Sequence, residues 1–216
     1  MCLSIDGDDD DYADIISKYR NLGLIIRVVK GENGGPGIAR QRVLDTTQCE
    51  YLMFLDADDL LMPQAIESLY DIIKACDYDI VRSSFIRENP HGPNQFLKYD
   101  IETITWFHGK IYNVNYLKKN NIHFLPGLRT DEDAFFNLVA WNCAEKRGSL
   151  DETTYYWRFN KASITRKSDT KKYFSDTYIY YVTSQVEGLK EIHRIKNEVN
   201  NLLITYTLLN VYDYYM

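Results

Sequence analysis

"YLMFLDADDLLMP", residues 51–63, runs an apolar segment straight into the carboxylates of Asp56, Asp58 and Asp59 and then turns apolar again. A short apolar run bounded by polar residues reads as a buried strand, so 51–55 is one strand with three acids at its carboxyl end. Pro63 suits the first position of a following helix over 63–76, where Ala65, Ile66, Leu69, Ile72 and Ile73 recur at helical spacing. Toward the N-terminus, "CLSI" (2–5) is a strand, "YADIISKYRN" (12–21) a helix with Ile15, Ile16 and Tyr19 on its inner side, and "LIIRVVK" (24–30) a second strand. "GENGGPG" (31–37) is a loop dense in turn formers, and a helix spans about 38–46. "DYDIVRSSF" (77–85) is a fourth strand. Strands alternating with helices predict an α/β fold with a mainly parallel sheet flanked by helices on both faces.

Beyond residue 88 the pattern changes. "RENPHGPNQF" is a loop, a helix is expected from Asp131 to about Ala144, and the chain reads as helical from 173 to its end. Val182, Val186, Leu189, Ile192, Ile195, Val199 and Leu202 mark the apolar stripe of that C-terminal region. A soft boundary falls near residue 100, giving regions 1–100, 101–172 and 173–216 within one body.

Composition narrows the function. The net charge of -6 opposes a nucleic-acid footprint. Cys2, Cys49, Cys76 and Cys143 form no C-x-x-C pair, so neither a zinc site nor a disulfide scaffold is indicated, and a reduced, cytoplasmic setting fits. No apolar run approaches the ~20 residues that cross a bilayer, which leaves at most a peripheral membrane role.

In an open α/β sheet, ligands bind beyond the carboxyl ends of strands, where the three acids stand. Hard oxygen ligands on a tight turn suit Mg²⁺ or Mn²⁺, with substrate phosphates and water completing the coordination. Helix capping by Asp58 or Asp59, or a solvated turn, is the plainer alternative. "DGDDDD" (6–11) is not an EF-hand loop, because Asp11 stands where glycine is required and Ser17 where the bidentate glutamate is required. A solvated loop is the expected role of Asp8 to Asp11.

"NGGPGIARQRVLDTTQCEYLMFLDADDLLMPQAIESL" resembles the centre of family 2 glycosyltransferases of the GT-A fold, in which N-x-G-x-x-x-A-R-N precedes a strand ending in D-x-D-D. "WFHGKIYNVNYLKKNNIHFLPGLRTDEDAFFNLVAW" resembles that family's acceptor-side segment, with its aromatic strand, F-x-x-G-L turn and E-D pair. The ordered set covers roughly residues 3–165. The resemblance implies a GT-A (Rossmann-like) mixed sheet and inverting transfer of a sugar from a nucleotide diphosphate donor, expected to be a UDP-sugar, to a glycan, lipid-linked or other hydroxyl acceptor. By the same resemblance Asp58 contacts the Mn²⁺ or Mg²⁺, and Asp56 lies near the ribose or sugar. Arg40 fixes the donor and the acidic turn, Asp6 holds the nucleoside, and Asp133 is the catalytic base with Glu132 beside it. Residues 1–100 then form the nucleotide-sugar half, 101–172 the acceptor half, and the C-terminal helices a surface for homo-oligomer formation.

Residue chemistry offers rivals. Thr130-x-x-Asp133 before an apolar run also has the form of a capping box. Trp106 and Trp141 could stack on sugars or belong to the core. His108 and His123 could be metal or acceptor groups, with ordinary packing or surface roles favoured for both, and Arg158, Lys161 and Arg166 could neutralise diphosphate, with a solvated basic face the default. Gln41 stands where the family pattern has Asn. Against that pattern the sequence starts at the second strand, so a strand and part of the nucleobase pocket are expected to be absent. This makes a catalytically impaired GT-A-fold binding or assembly module the alternative. A nucleotidyltransferase is disfavoured, since no Gly-rich phosphate loop with a nearby Lys accompanies the acids.

Overall fold

The structure is a computed structural model of the 216-residue chain and describes residues 1–7, 12–88, 95–160 and 170–215, without the side chains of 170–176 and 213–215. Asp8 to Asp11, Lys161, Arg166 and most of the 87–96 loop lie outside the described residues.

β1 (Cys2–Asp6) pairs in parallel with β2 (Arg27–Gly31) across α1 (Ala13–Asn21). The acid of Asp14 in the first turn of α1 and the bases Lys18 and Arg20 in its last complement the helix dipole. The expected inner face of α1 is not buried: Ile15 is 60% exposed and Ile25, expected within the next strand, is 86% exposed. β2 therefore starts three residues later than its apolar run, at Arg27.

α2 (Pro36–Thr46) starts two residues earlier than expected. Gly35, at φ 83°, makes the left-handed turn into the helix, and Pro36 supplies its pre-set φ at the first position. The Ser4 hydroxyl donates to the Ala39 carbonyl at 2.8 Å and seats the helix on β1.

β3 (Tyr51–Leu52) is shorter than the run 51–55. Residues 53–55 leave the ladder as the Phe54 ring enters an aromatic cluster with Phe107, Tyr112, Phe124 and Phe136, at centroid separations of 5.4–5.9 Å. After the acidic turn come β4 (Leu60–Leu61) and α3 (Ala65–Ala75), which buries Ala65, Leu69 and Ile73 but leaves Ile66 63% exposed. β5 (Ile80–Glu88) is buried from Ile80 to Phe85 and forms the middle of the main sheet. β6 (Phe96–Tyr99), β7 (Lys110–Asn113), α4 (Val114–Lys119), α5 (Glu132–Cys143) and β8 (Arg147–Trp157) complete the body.

The α/β fold and mixed sheet agree with expectation, whereas the strand directions correct it. The main sheet runs β3-β7-β5-β8-β4, with β6 on β5, and β1-β2 form a separate sheet. Pairing is parallel in β1-β2 and β5-β8 and antiparallel in β3-β7, β4-β8, β5-β6 and β5-β7. Helix–strand alternation implies parallel neighbours only when successive strands sit side by side. Here β7, from the second half of the chain, inserts between β3 and β5.

The C-terminal region is two helices, α6 (Thr170–Lys196) and α7 (Asn201–Tyr215), parted at Asn197, whose φ of 60° ends the first. The face of α6 toward α5 is built from Ser184, Gln185, Gly188 and Ile192, while Val186 of the expected stripe is exposed. Gly188 admits the Leu138 side chain: a Cβ there would lie 2.7 Å from Leu138 Cδ2. Among the described residues no helix is long and apolar enough to cross a membrane.

Candidate active site

Four segments converge at one end of the main sheet: the turn after β3, α2, the start of α5, and the end of β8. Arg40 on α2 joins two of them. Its Nη2 donates to Asp56 Oδ1 and its Nη1 to Glu132 Oε1, both at 2.7 Å, and its guanidinium lies 4.2 Å from the Phe107 ring centroid. The side chain is 12% exposed. Burial would lower the guanidinium's proton affinity, but the carboxylates of Asp56 and Glu132 outweigh it and raise it above the ordinary value. Gly37, one turn earlier, permits the close approach, since a Cβ there would meet Glu132 Cβ and Cγ at 3.1 Å.

The three acids of the turn have different surroundings. Asp56 keeps one oxygen on Arg40. Asp58 is exposed, and its Oδ2 accepts from Asn160 Nδ2 at 2.9 Å. Asp59 is buried, accepting from the Tyr155 hydroxyl at 2.7 Å and from the Arg158 amide at 2.9 Å. Burial pushes its carboxyl up to about 6, against the lowering effect of those two bonds. Asp59 thus anchors the turn to β8 and leaves Asp58 facing outward.

His108 sits behind this turn. Its ring stacks on Tyr155 at 4.4 Å and its Nε2 is 3.9 Å from Asp59 Oδ2, while its buried Nδ1 has no hydrogen-bond partner among the described residues. Desolvation holds the imidazole well below its ordinary value, so it is neutral. Ligand atoms of Asp56, Asp59 and His108 lie within 4.8 Å of one another. The exposed Asp58 and the adjacent Asp56 offer oxygen donors of the kind a hard divalent cation takes, with Asp59 and His108 deeper beneath them.

Asp6 closes the other flank. Its Oδ1 accepts from the Gly34 amide (3.0 Å) and Arg42 Nη1 (2.8 Å), and its Oδ2 from the Gly35 amide (2.8 Å). Partial burial opposes ionisation, yet these donors hold its carboxyl below the ordinary value. Asp6 therefore fixes the glycine loop that opens α2. Gln41 has a similar tying role, accepting from the Phe124 amide at 2.8 Å and donating to Asp45 at 2.7 Å.

The capping box suggested by Thr130 and Asp133 is not formed. Asp131, at φ 62°, is the residue before α5, and the Thr130 hydroxyl donates to Asp131 Oδ2 at 2.9 Å. Asp133 is left half-buried, accepting from the Ala134 amide, with its carboxyl pushed well above the ordinary range by desolvation and by Glu132. Lys110, 1% exposed, donates to the carbonyls of Trp106 and Thr103. Desolvation pushes its ammonium down to about 7, against the pull of Asp133.

The structure thus brings Arg40, Asp56, Glu132 and Asp133 together, sets Asp58 at the rim and Asp6 at the end of β1. Asp59, one of the three acids of the turn, and His108 belong to the same constellation, together with Tyr155 and Lys110, which the sequence alone does not single out. Only the strand-end position of Asp59 and the K-I-Y strand of Lys110 carried a signal. Trp106 packs among Phe85, Tyr99 and Trp157, and Trp141 lies under Arg82, so both are core aromatics. His123 is half-buried, bonded to the Asn121 carbonyl and with its ring 6.1 Å from that of Phe135.

Comparison with known proteins identifies the family. The model of the family described as Glycosyl transferase family 2 matches residues 1–130. The poly(ribitol-phosphate) beta-N-acetylglucosaminyltransferase TarS of Staphylococcus aureus is 27% identical over 159 residues, which are 68% of this chain and 28% of that protein. The minor teichoic acid biosynthesis protein GgaA of Bacillus subtilis is 26% identical, over all of this chain and 53% of that protein. The crystal structure of S. aureus TarS in complex with UDP-GlcNAc superposes with a TM-score of 0.62 at 22% identity, covering 88% of this chain and 60% of that one. This chain therefore spans between about a quarter and three fifths of these relatives. With more than half of its residues matched by the family model, the chain belongs to glycosyl transferase family 2.

Proposed function

We propose that this chain catalyses inverting transfer of a sugar from a nucleotide diphosphate donor, a UDP-sugar, to a hydroxyl of a glycan or lipid-linked acceptor, and that it depends on Mn²⁺ or Mg²⁺. The observation that carries the reading is the double ion pair of Arg40, which ties the strand-end acid Asp56 to the helix-start acid Glu132. In this reading the pair holds the acidic turn to the start of α5, which carries Asp133, so that donor and base would face each other as a displacement requires.

In this reading Asp58 would hold the divalent ion, whose contribution is to stabilise negative charge on the departing diphosphate. Asp56, Glu132 and Arg40 orient the donor, and Asp6 shapes the nucleoside end through the glycine loop. Asp133 accepts the proton of the acceptor hydroxyl as its oxygen bonds to the sugar's anomeric carbon, and the bond from that carbon to the diphosphate breaks on the opposite face. The raised proton affinity of Asp133 suits a base. Residues 1–100 serve as the donor half and 101–172 as the acceptor half. The exposed Leu202, Leu208, Leu209 and Tyr212 of α7 support self-association through the C-terminal helices.

The bond from Asn160 to Asp58, together with the full engagement of Asp6, favours one alternative, a GT-A-fold binding module with impaired catalysis. Incubation with UDP-GlcNAc or UDP-glucose and Mn²⁺, followed by NMR, separates the two. Transfer or hydrolysis giving the β-anomer from the α-linked donor supports the enzyme. UDP binding without turnover of either donor supports the module.

A further inference from the structure

A cavity of about 290 Å³ lies between the first turns of α5, the 102–105 segment, α6 and α7, away from the acidic turn. Thr105, Gln185, Leu203, Tyr206, Thr207 and Asn210 line it, and Ala134, which follows Asp133, forms part of its wall. Its volume is near the lower end of the ~300–1,000 Å³ typical of small-molecule sites.

Two features say what it takes. The Thr207 side chain is 2% exposed, and its buried Oγ1 has no hydrogen-bond partner among the described residues. Buried hydroxyls are nearly always partnered, and leaving one orphaned disfavours the fold, so a ligand hydroxyl is a natural partner. The second feature is charge. Among the described residues the one charged group at the cavity is Glu102, and it is paired with Arg82 Nη2 at 2.8 Å. Hydroxyls, amides and the apolar faces of Leu203 and Tyr206 match the hydroxyls and C–H faces of an uncharged sugar, while among the described residues no cation lines the cavity to meet a phosphate.

We propose that this cavity is a subsite for a neutral polyhydroxylated unit of the acceptor, a sugar ring or an alditol, with the Thr207 hydroxyl bonded to one of its hydroxyls. The identity of the occupant as acceptor rests on the glycosyltransferase reading; the cavity and its chemistry do not.

The test is saturation-transfer NMR on the full chain with maltotriose, cellotriose, chitotriose and sorbitol as neutral probes and glycerol 3-phosphate as the charged one. At least one neutral probe is expected to receive saturation, and glycerol 3-phosphate none. Leu203→Trp, which fills the space, abolishes the signal. Thr207→Val, close to isosteric, weakens binding about tenfold and raises the unfolding midpoint, because it removes an orphaned hydroxyl. Titration of UDP with Mn²⁺ into the same variants stays at the wild-type value. Failure of every neutral probe, an unchanged signal in Leu203→Trp, or unaltered affinity in Thr207→Val overturns the proposal. Loss of UDP binding in the wild type, with neutral probes still bound, counts against the donor reading and leaves the cavity standing.

Discussion

Replacing Arg40 by Met tests the junction on which the site depends. The guanidinium is 12% exposed and its partner Glu132 9%, so removing it strands a desolvated carboxylate, while Asp56, at 40% exposed, is eased by water. Breaking one side of a buried pair costs about 3–5 kcal/mol. At ~2–4 °C per kcal/mol for a domain of this size, the unfolding midpoint falls by roughly 10 °C. The cation–π contact with Phe107 is partly kept by the Met side chain, so the loss reports the charges. Urea unfolding of Arg40→Met, Glu132→Gln and the double variant forms a cycle. The double variant is expected to recover part of the loss, with a coupling of ~1–3 kcal/mol. A single-variant cost below 1 kcal/mol, or additive singles, would refute the claim that Arg40 holds the two acids together.

Asp133→Asn lowers kcat by ~10²–10⁴-fold with UDP affinity unchanged. It does not lower the unfolding midpoint at neutral pH, because burial disfavours the charged form of Asp133; a variant with normal turnover in donor assays removes Asp133 as base. Tyr155→Phe leaves buried Asp59 with the Arg158 amide, at a cost of about 1–3 kcal/mol by thermal unfolding, and weakens UDP binding as the acidic turn loosens. Asp131 is pushed up to about 6 by burial from an ordinary 3.8, so the folded chain holds this proton more tightly than the unfolded one. Its contribution is therefore complete below about pH 4 and is lost as pH rises through about 6, by at most ~3 kcal/mol. Asp131→Asn flattens the stability–pH curve in that window, and an unchanged slope in urea melts would contradict the assignment.

The strands and helices of the first half were legible because each amphipathic run carries its own period, and the acids of 56–59 because charge at a strand end is locally conspicuous. Strand order was not. β7 reaches β5 and β3 through pairings between residues far apart in sequence, such as Ile80 with Tyr112, and no local pattern announces them. Ile192, Ile195 and Val199 of the expected stripe do pack on the core, but the inner face of α6 also uses Ser184, Gln185 and Gly188, small or polar residues that a hydrophobic count passes over. Asp56, Asp58 and Asp133 could be singled out by motif. The burial of Lys110 and His108, and the anchoring of Asp59 by Tyr155, exist only once the sheet has brought β7 and β8 to the turn.

The central claim is that the acid at the rim of the turn, Asp58, grips a divalent cation that in turn binds a diphosphate. Calorimetric titration of UDP with Mn²⁺, with EDTA in place of Mn²⁺, and into Asp58→Ala tests it most directly. Binding that requires Mn²⁺ and is lost in Asp58→Ala is the predicted result; UDP bound equally well without the cation, or by Asp58→Ala, would contradict the account.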